Sequence, residues 1–324
     1  MENPLQLCYP VRTLEGKELL PAGAYLTEDT MQELVRLAGM ETFPAMRLLE
    51  YDTVAADLHS ICSVPPYCRI FSDPVRRKAL FKTMNRVEFV QPLLDIYGFF
   101  KTYDPYTYRH ILTVFALTLL LAQDLIDNRE ELAKAVAAAP NHDFGKICVP
   151  LAVCKKSTLL NKQEQALLSH HPVAGYVLLS FYLKDAGHPA AITARDHHER
   201  RDGSGYPRRM ALSDRVTEIV AVGDVFDALI SRRPYRSQSY DLRTALEELS
   251  LQAIAGTISK EVVNALISCN RENHPCHTDC NFSHELRGTP PPGNLYQGIT
   301  PCRYNPAASH EEDPDPNSGS TAPG

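Results

Sequence analysis

The chain has 324 residues, of which 44% are hydrophobic and 22% are charged. This composition is typical of an ordinary globular protein and excludes a wholly disordered or collagen-like chain. The formal net charge of -6 argues against non-specific nucleic-acid binding, so no DNA or RNA partner is expected. The longest apolar run, residues 111–122 (ILTVFALTLLLA), is shorter than the about 20 residues that span a bilayer. It therefore predicts a buried helix and no membrane span.

The N-terminus, MENPLQLCYPVRTLEG, has neither the basic start nor the long apolar core of a signal peptide. We therefore expect a cytoplasmic protein. The nine cysteines are scattered along the chain. Without a secretory signal, they are interpreted as reduced thiols and not as a disulfide framework.

The first of three zones covers residues 1–73, and its opening predicts strand, turn, strand and helix. Thr30 and Glu33 have the spacing of a capping box, and Gly39 is placed to end the helix. No chemistry-bearing motif stands out. We interpret this zone as a small α+β accessory or sensory module, and the sequence leaves open whether it contacts a second copy or a signalling partner.

The second zone covers residues 74–270, where helical periodicity dominates and strand alternation is nearly absent. This pattern predicts an all-α bundle. The predicted helices cover residues 76–90, 91–100, 110–131, 162–183, 215–230 and 242–251.

The third zone, residues 271–324, is rich in Pro and Gly and then acidic. It has too little apolar surface to offset the cost of ordering, so a mostly disordered tail is expected. Five cysteines and histidines occur there, but their spacing matches no strong zinc pattern, and uncommitted residues are favoured. They are Cys276, His277, Cys280, His284 and Cys302.

The second zone also holds most of the histidines, and these occur with aspartates in five ordered elements. Imidazole and carboxylate ligands suit Fe, Mn or Zn. A carboxylate can bridge two ions, and two ions can activate one hydroxide between them. Any one of these histidines alone is weak evidence, but the ordered set indicates a metal site.

Residues 104–236 resemble the HD-GYP subfamily of HD-domain phosphohydrolases. The matching segments are DPYTYRH, HDFGKICVP, HHPVAGYVLL, HHERRDGSGYP and GDVFDALISRRPYR. The resemblance implies an all-α HD-domain helical bundle and a metal-dependent cyclic di-GMP phosphodiesterase.

The resemblance also implies which residues bind metal. Asp143 is the ligand expected to bridge two ions, and Asp224 completes the set around the first ion. The implied ligands are His110, His142, Asp143, His171, His197, His198 and Asp224. Adjacent residues in a helix point about 100° apart. His197 and His198 therefore need a helix end, which the following DGSG supports.

Other residues are implied to bind substrate. Lys146 resembles the family lysine that contacts the scissile phosphate. Gly205, Tyr206 and Pro207 form the signature loop, in which Tyr206 either contacts a guanine or phosphate or packs the loop. Arg233 matches a family arginine, and a guanidinium can bind phosphate oxygens bidentately.

Several residues near the implied metal ligands are expected to have supporting roles, and for some of them two alternative roles stay open. His170 and Asp227 are interpreted as neighbours of the ligands, and His188 as structural. Glu199 either orients a ligand histidine or forms a surface salt bridge. The five arginines between residues 195 and 209 are interpreted as solvated, with steering of an anionic substrate as the alternative. Tyr106 replaces a glutamate that holds a third metal in some relatives, which favours a two-metal site.

Together these observations predict hydrolysis of cyclic di-GMP to linear pGpG by a metal-bridging hydroxide. Asp143 and Lys146 are the expected catalytic residues, and the cofactors are two divalent ions, Fe or Mn. Further cleavage to GMP is left open. The alternatives are hydrolysis of another cyclic dinucleotide or phosphate ester, and a non-catalytic cyclic di-GMP receptor.

Overall fold

The computed structural model describes residues 4–232, 238–282 and 285–291. Helices dominate these ranges, as predicted, and the strands are short. The helices are α1 Glu28–Ala38, α2 Val54–Ser63, α3 Pro74–Met84, α4 Gln91–Tyr103, α5 Pro105–Leu125, α6 Arg129–Ala138, α7 Leu151–Cys154, α8 Lys162–Ser169, α9 His171–Leu183, α10 Pro189–Asp196, α11 Arg215–Ile230, α12 Leu242–Ile254 and α13 Lys260–Cys269. The strands are β1 Val11–Arg12, β2 Glu18–Leu20, β3 Ala45–Arg47 and β4 Glu88–Val90.

Helices α5, α9 and α11 form the centre of the bundle. Most residues of α5 and nearly every residue of α9 and α11 are buried, as expected of helices that are apolar all round. Phe115, Leu178 and Phe226 from the three helices belong to one hydrophobic core. The predicted buried helix at residues 111–122 is therefore confirmed.

Side-chain caps fix the start of the two central helices that carry His110 and Asp224. Asp104 accepts a hydrogen bond from the backbone N–H of Thr107 at the start of α5. Asp214 accepts one from the N–H of Thr217 at the start of α11. Each cap satisfies a backbone donor that would otherwise lack a partner in the first turn.

The predicted order of strand, turn, strand and helix is confirmed at the N-terminus, where β1 and β2 pair antiparallel before α1. The predicted capping box was wrong. Thr27 caps α1 by accepting from the N–H of Thr30, while Glu33 binds Arg36 on the helix surface. Helix α1 therefore begins earlier than expected, and it ends at Gly39 as predicted.

The first predicted zone packs into the same core as the helical bundle. Leu7, Val11 and Leu34 belong to the hydrophobic cluster that contains Phe115. Strand β3 also pairs antiparallel with β4, which lies beyond residue 73. The helix predicted over residues 76–90 thus ends at Met84 and is followed by a strand. The zone boundaries themselves stay predictions.

Two predicted long helices are each interrupted. The helix expected over residues 110–131 ends at Leu125, and α6 begins at Arg129 after the side chain of Asn128 caps it. The helix expected over residues 162–183 breaks at His170. Pro172 fits the first turn of α9 because the N–H that proline lacks has no helical partner there.

Seven of the described cysteines are free thiols, in keeping with the predicted absence of a disulfide framework among them. The free cysteines among the described residues are Cys62, Cys68, Cys148, Cys154, Cys269, Cys276 and Cys280. Burial raises the pKa of Cys62 and of Cys269 to about 12, so both thiols resist ionisation.

The first part of the predicted tail is packed against the bundle. Cys280 is buried, and the hydroxyl of Ser268 donates to the carbonyl of Pro275. The backbone N–H of Gly288 donates to Glu247 of α12. Residues 292–324 lie outside the described residues, and so do His284 and Cys302, so disorder there stays a prediction. No metal-ligand group in the described chain includes Cys276, His277 or Cys280.

Within residues 4–232, 238–282 and 285–291, no helix combines the length and the apolar character that crossing a bilayer requires.

Candidate metal centre

Two groups of potential metal ligands face each other inside the bundle. One consists of His110, His142 and Asp224, and the other of His171, His197 and His198. Within each group the ligand atoms lie within 4.8 Å of one another. Six of the seven predicted ligands therefore fall into two compact sets.

Asp143, the seventh predicted ligand, lies between the two groups. Its Oδ2 atom is 3.4 Å from Nε2 of His110 and 3.7 Å from Nε2 of His142. Its Oδ1 atom is 3.2 Å from Nε2 of His171 and 3.9 Å from Nε2 of His197. Each carboxylate oxygen thus faces a different group, which is the arrangement that a bridging carboxylate needs.

Hydrogen bonds at Nδ1 fix the tautomer of three of these histidines. Nδ1 of His142 lies 3.2 Å from the carbonyl of Ala139. In His171, Nδ1 lies 2.6 Å from the carbonyl oxygen of Leu168. In His197, Nδ1 lies 2.9 Å from the carbonyl oxygen of Ala194. A neutral imidazole that donates through Nδ1 presents an unprotonated Nε2 for a metal ion. The donor set therefore fits divalent metal binding.

His110 is held by a carboxylate in the same manner. Its Nδ1 lies 2.6 Å from Oδ2 of Asp227, which is buried. Oδ1 of Asp227 accepts hydrogen bonds from the hydroxyls of Tyr67 and Ser231. Asp227 thus orients a ligand candidate without joining either ligand group, in keeping with its predicted position.

The buried carboxylates are ionised. Burial acts to raise the pKa of Asp143, but Lys146 and the neighbouring histidines outweigh it and hold that pKa well below its usual range. Asp224 behaves similarly, because the bond to His110 outweighs burial and lowers the pKa. Burial lowers the pKa of His110, but its bonds to Asp224 and Asp227 outweigh that effect and raise the pKa to about 9.

Two histidines of the second group, His197 and His198, are kept neutral. Burial, with repulsion from His142 and His171, lowers the pKa of His197 to about 3. Burial and repulsion from His197 also hold the pKa of His198 well below its usual value. Neutral imidazoles are the form that binds metal ions.

Local backbone geometry brings these ligands together. Helix α10 ends at Asp196, so His197 and His198 follow the helix end as predicted. A 3-10 turn over Phe144–Cys148 follows Asp143 and carries Lys146, whose Nζ is 2.6 Å from Oδ2 of Asp143. The side chain of Lys146 is 17% exposed, so its ammonium reaches the surface of the site.

Gly145 allows this turn to pack closely on α9, a role that was not predicted from the sequence. A Cβ atom at Gly145 would lie 1.9 Å from the carbonyl oxygen of His171 and 2.4 Å from the backbone nitrogen of Gly175. The turn that follows Asp143 thus packs directly on the helix that begins with His171. In the sequence, this close packing is indicated only by the presence of a glycine two residues beyond Asp143.

The signature loop packs on the ligand segment. A Cβ atom at Gly205 would lie 2.3 Å from the carbonyl oxygen of His198. The ring of Tyr206 stacks on His198, with centroids 4.7 Å apart and planes 15° apart. Tyr206 is buried, and Pro207 follows it in the loop. These contacts support the loop-packing alternative for Tyr206.

Glu199 holds the end of this loop in place through hydrogen bonds to its backbone. Neither of the two predicted alternatives for Glu199 described this role. Its buried carboxylate accepts backbone N–H bonds from Arg208 at 2.6 Å, Arg209 at 3.1 Å and Met210 at 3.2 Å. Burial raises its pKa although these bonds act to lower it.

Other neighbours lie away from the ligand atoms. His170 packs its ring edge against Tyr9, 5.5 Å between centroids, and burial lowers its pKa to about 4. His188 caps α10 by accepting from the N–H of Ala190, which agrees with its predicted structural role. The ring of Tyr106 stacks 6.1 Å from that of His110.

Most of the arginines near the loop form ion pairs or backbone bonds. Arg195 and Arg208 both bind Asp196, and Arg201 binds Glu218. Arg200 donates to the carbonyl of Glu199. Steering of an anionic substrate by these arginines stays a prediction. Arg233, the predicted phosphate contact, lies outside the described residues.

Comparison with known proteins gives the family. A family model described as HD domain matches residues 80–258. The match covers more than half of the chain, and it includes all seven ligand candidates. The chain therefore belongs to the HD-domain family.

Curated relatives carry more specific names. A cyclic di-GMP phosphodiesterase of Thermotoga maritima is 34% identical over 191 residues, which cover 57% of this chain and 50% of that protein. A cyclic di-GMP phosphodiesterase response regulator of Xanthomonas campestris is 42% identical over 135 residues, covering 41% and 35%. A 3′3′-cGAMP-specific phosphodiesterase of Vibrio cholerae is 30% identical over 164 residues, covering 50% and 37%. The matched segments span half or less of these relatives.

Proposed function

We propose that this protein hydrolyses cyclic di-GMP to linear pGpG as an HD-GYP-type phosphodiesterase. One observation carries the proposal: the two oxygens of Asp143 face two separate ligand groups. The relatives named as cyclic di-GMP phosphodiesterases support the substrate. Water supplies the new oxygen on phosphorus and the proton of the leaving 3′ hydroxyl.

The cofactors we propose are two divalent ions, Fe or Mn, since imidazole and carboxylate donors accept both. His110, His142 and Asp224 would hold one ion, His171, His197 and His198 the other, and Asp143 would bind both. Bound ions of this kind lower the pKa of a water molecule and polarise phosphoryl oxygens. The protein's own contribution is to keep the carboxylates of Asp143 and Asp224 ionised and the rings of His197 and His198 neutral.

The substrate contacts we propose start from Lys146. Its partly exposed ammonium lies beside Asp143 and is placed to donate to a phosphate oxygen as negative charge develops. Gly205, Tyr206 and Pro207 shape the adjacent wall, and the stacking of Tyr206 on His198 supports a positioning role for this loop. Arg233 is proposed as a further phosphate contact.

The test is to purify the protein without oxygen, load it with Fe(II) or Mn(II), count the bound metal and chromatograph the products from cyclic di-GMP. Linear pGpG from protein with two ions per chain supports the proposal, and GMP would show further cleavage. Two bound ions without any product would overturn the proposed substrate. Neither metal nor product would overturn the metal centre itself.

A second substrate is favoured by a specific observation, the similarity to a 3′3′-cGAMP-specific phosphodiesterase. The metal-ligand candidates do not distinguish the two dinucleotides, because these differ in a base and share the phosphodiester bonds on which the ions would act. Parallel assays with both substrates decide between them through the ratio of kcat/KM values. Tight binding of cyclic di-GMP without turnover, in protein with both ions, would instead favour the receptor alternative. The cytoplasmic location and the homodimer or signalling partner stay predictions.

A further inference from the structure

A cavity of about 650 Å³ lies among residues that include none of the seven ligand candidates. It is bounded by the end of α3, strand β4, helix α6, the end of α9 and the start of α10. Its size falls within the range of small-molecule sites, about 300–1,000 Å³. The proposed function makes no use of this space.

One part of the cavity lining is apolar. Val87 and Phe89 come from the segment around β4, Leu132 and Val136 from α6, and Leu183 from the end of α9. Leu132, Val136 and Leu183 remain only half-buried. An apolar ligand body would remove these side chains from water, which is favourable in proportion to the area covered.

The rim carries positive charge. Arg86 and Arg129 line the cavity and are exposed, and no acidic side chain in the described ranges lies within salt-bridge distance of either. Glu88 is the acid in the lining, and its carboxylate lies 4.0 Å from Arg47, which is outside the cavity. The rim therefore complements an anionic group.

The interior offers one acceptor and one donor. Asn141 is fully buried; its Nδ2 donates to the carbonyl of Ala137, and its Oδ1 has no hydrogen-bond partner. A buried acceptor without a partner is uncommon and favours a ligand that donates to it. Nδ1 of His188 accepts from the N–H of Ala190, so the neutral ring carries its proton on Nε2 as a donor.

We propose that this cavity binds a small organic anion with an apolar body and an N–H or O–H donor. The anionic group lies at Arg86 and Arg129, the body against Leu132 and Val136, and the donor at Asn141. Asn141 directly precedes His142, so such a ligand touches the turn that carries a metal-ligand candidate.

The probe for the test is 8-anilinonaphthalene-1-sulfonate, which combines a sulfonate, an aromatic body and one N–H. Its uncharged counterpart is N-phenyl-1-naphthylamine, which lacks only the sulfonate. Both are titrated into the full-length protein by fluorescence, and calorimetry gives the stoichiometry of the anionic probe. We expect one saturable site that binds the anion at least about tenfold more tightly.

Variants locate the site. Arg86→Gln with Arg129→Gln is expected to remove the preference for the anion and leave the affinity for the uncharged probe unchanged. The matched control, Lys78→Gln with Lys134→Gln, removes two exposed charges from α3 and α6 outside the cavity lining and should change neither affinity. Val136→Trp fills the cavity and should abolish binding of both probes, with circular dichroism and thermal unfolding as checks of folding.

The proposal is overturned by binding that does not saturate or by equal affinity of the wild type for the two probes. It is also overturned if both double variants lose the same affinity for the anionic probe. If Val136→Trp fails to fold, the comparison of the two double variants decides alone. None of these measurements depends on hydrolysis, so failure of the proposed function leaves the result interpretable.

Discussion

The phenol of Tyr67 donates a hydrogen bond to the carboxylate of Asp227, whose other oxygen lies 2.6 Å from Nδ1 of His110. Tyr67 belongs to the zone that the sequence predicted as a separate accessory module. Burial and the charge of Asp227 raise the pKa of Tyr67, so the phenol stays protonated and acts as the donor. The N-terminal zone therefore supports a ligand candidate of the metal centre through Asp227.

Tyr67→Phe is expected to weaken metal binding. The substitution keeps the ring and removes one donor to Asp227, which then fixes His110 less firmly. Outer-shell changes of this kind lower metal affinity by about 10–100-fold. Competition with a chelating dye measures the affinity for Mn(II).

Tyr25→Phe is the control for Tyr67→Phe, because Tyr25 is 51% exposed and lies outside both ligand groups. The two variants should retain the same far-ultraviolet circular dichroism. Equal Mn(II) affinity in both variants and the wild type would show that Tyr67 only packs the core.

Asp143→Asn is expected to remove metal loading and turnover together. The amide offers one oxygen and one NH₂ group, so it cannot face both ligand groups with an acceptor. The loss of metal affinity should exceed the about 10–100-fold typical of outer-shell changes. Metal counting after dialysis and product chromatography on the same sample measure both effects.

Asp202→Asn serves as the comparison for Asp143→Asn. Asp202 is exposed and accepts from Ser204 in the nearby loop, without facing either ligand group. It should retain its metal and its activity. Full turnover by metal-free Asp143→Asn protein would contradict the assigned role.

The sequence predicted residues that the fold does bring together, because the chemistry of histidine and aspartate is visible in the residue types themselves. Metal binding by these residues stays a prediction. Spacing also predicted that His197 and His198 follow a helix end, since one helix cannot aim two adjacent residues at one point. Helix α11 was predicted with its observed bounds because its helical pattern is continuous, and the structure adds that Asp214 caps its start.

What the sequence did not reveal depends on contacts between distant segments. Tyr67 and Asp227 are 160 residues apart, and nothing local marks Tyr67 as a hydrogen-bond donor to the site. The strand at residues 88–90 forms because β3 pairs with it, so the local helical pattern was overridden. Glu199 was assigned to a histidine or an arginine, since its three backbone donors become neighbours only when the loop folds back.

Gly145→Ala is expected to destabilise the fold. The added Cβ would meet backbone atoms of His171 and Gly175, which cannot move aside as a flexible side chain would. Overpacking of this kind lowers the free energy of unfolding by about 1–3 kcal/mol. Urea denaturation of the metal-free protein measures the change.

Gly187→Ala is the matched substitution for Gly145→Ala. The nearest contact of its Cβ would be a side-chain oxygen of Asp185 at 3.3 Å, the end of a flexible side chain and not a backbone atom. Its free energy of unfolding should stay within about 0.5 kcal/mol of the wild type. An equally stable Gly145→Ala protein would show that α9 and the turn after Asp143 separate more easily than the contact implies.

Glu199→Gln is expected to loosen the end of the signature loop. The amide oxygen can still accept from Arg208 and Arg209, but the NH₂ group would face the N–H of Met210 and leave that donor unpaired. A hydrogen bond to a charged group contributes about 1.5–3 kcal/mol, so the loss of this bond to the carboxylate should cost a comparable amount. Hydrogen exchange at residues 208–210 should therefore accelerate by roughly tenfold or more, since about 1.4 kcal/mol corresponds to a factor of ten.

Glu261→Gln is the control for Glu199→Gln. It removes a carboxylate that pairs with Arg215 at the surface and should leave exchange in this loop unchanged. Unaltered exchange at residues 208–210 in Glu199→Gln protein would mean that the stacking of Tyr206 on His198 holds the loop without the carboxylate.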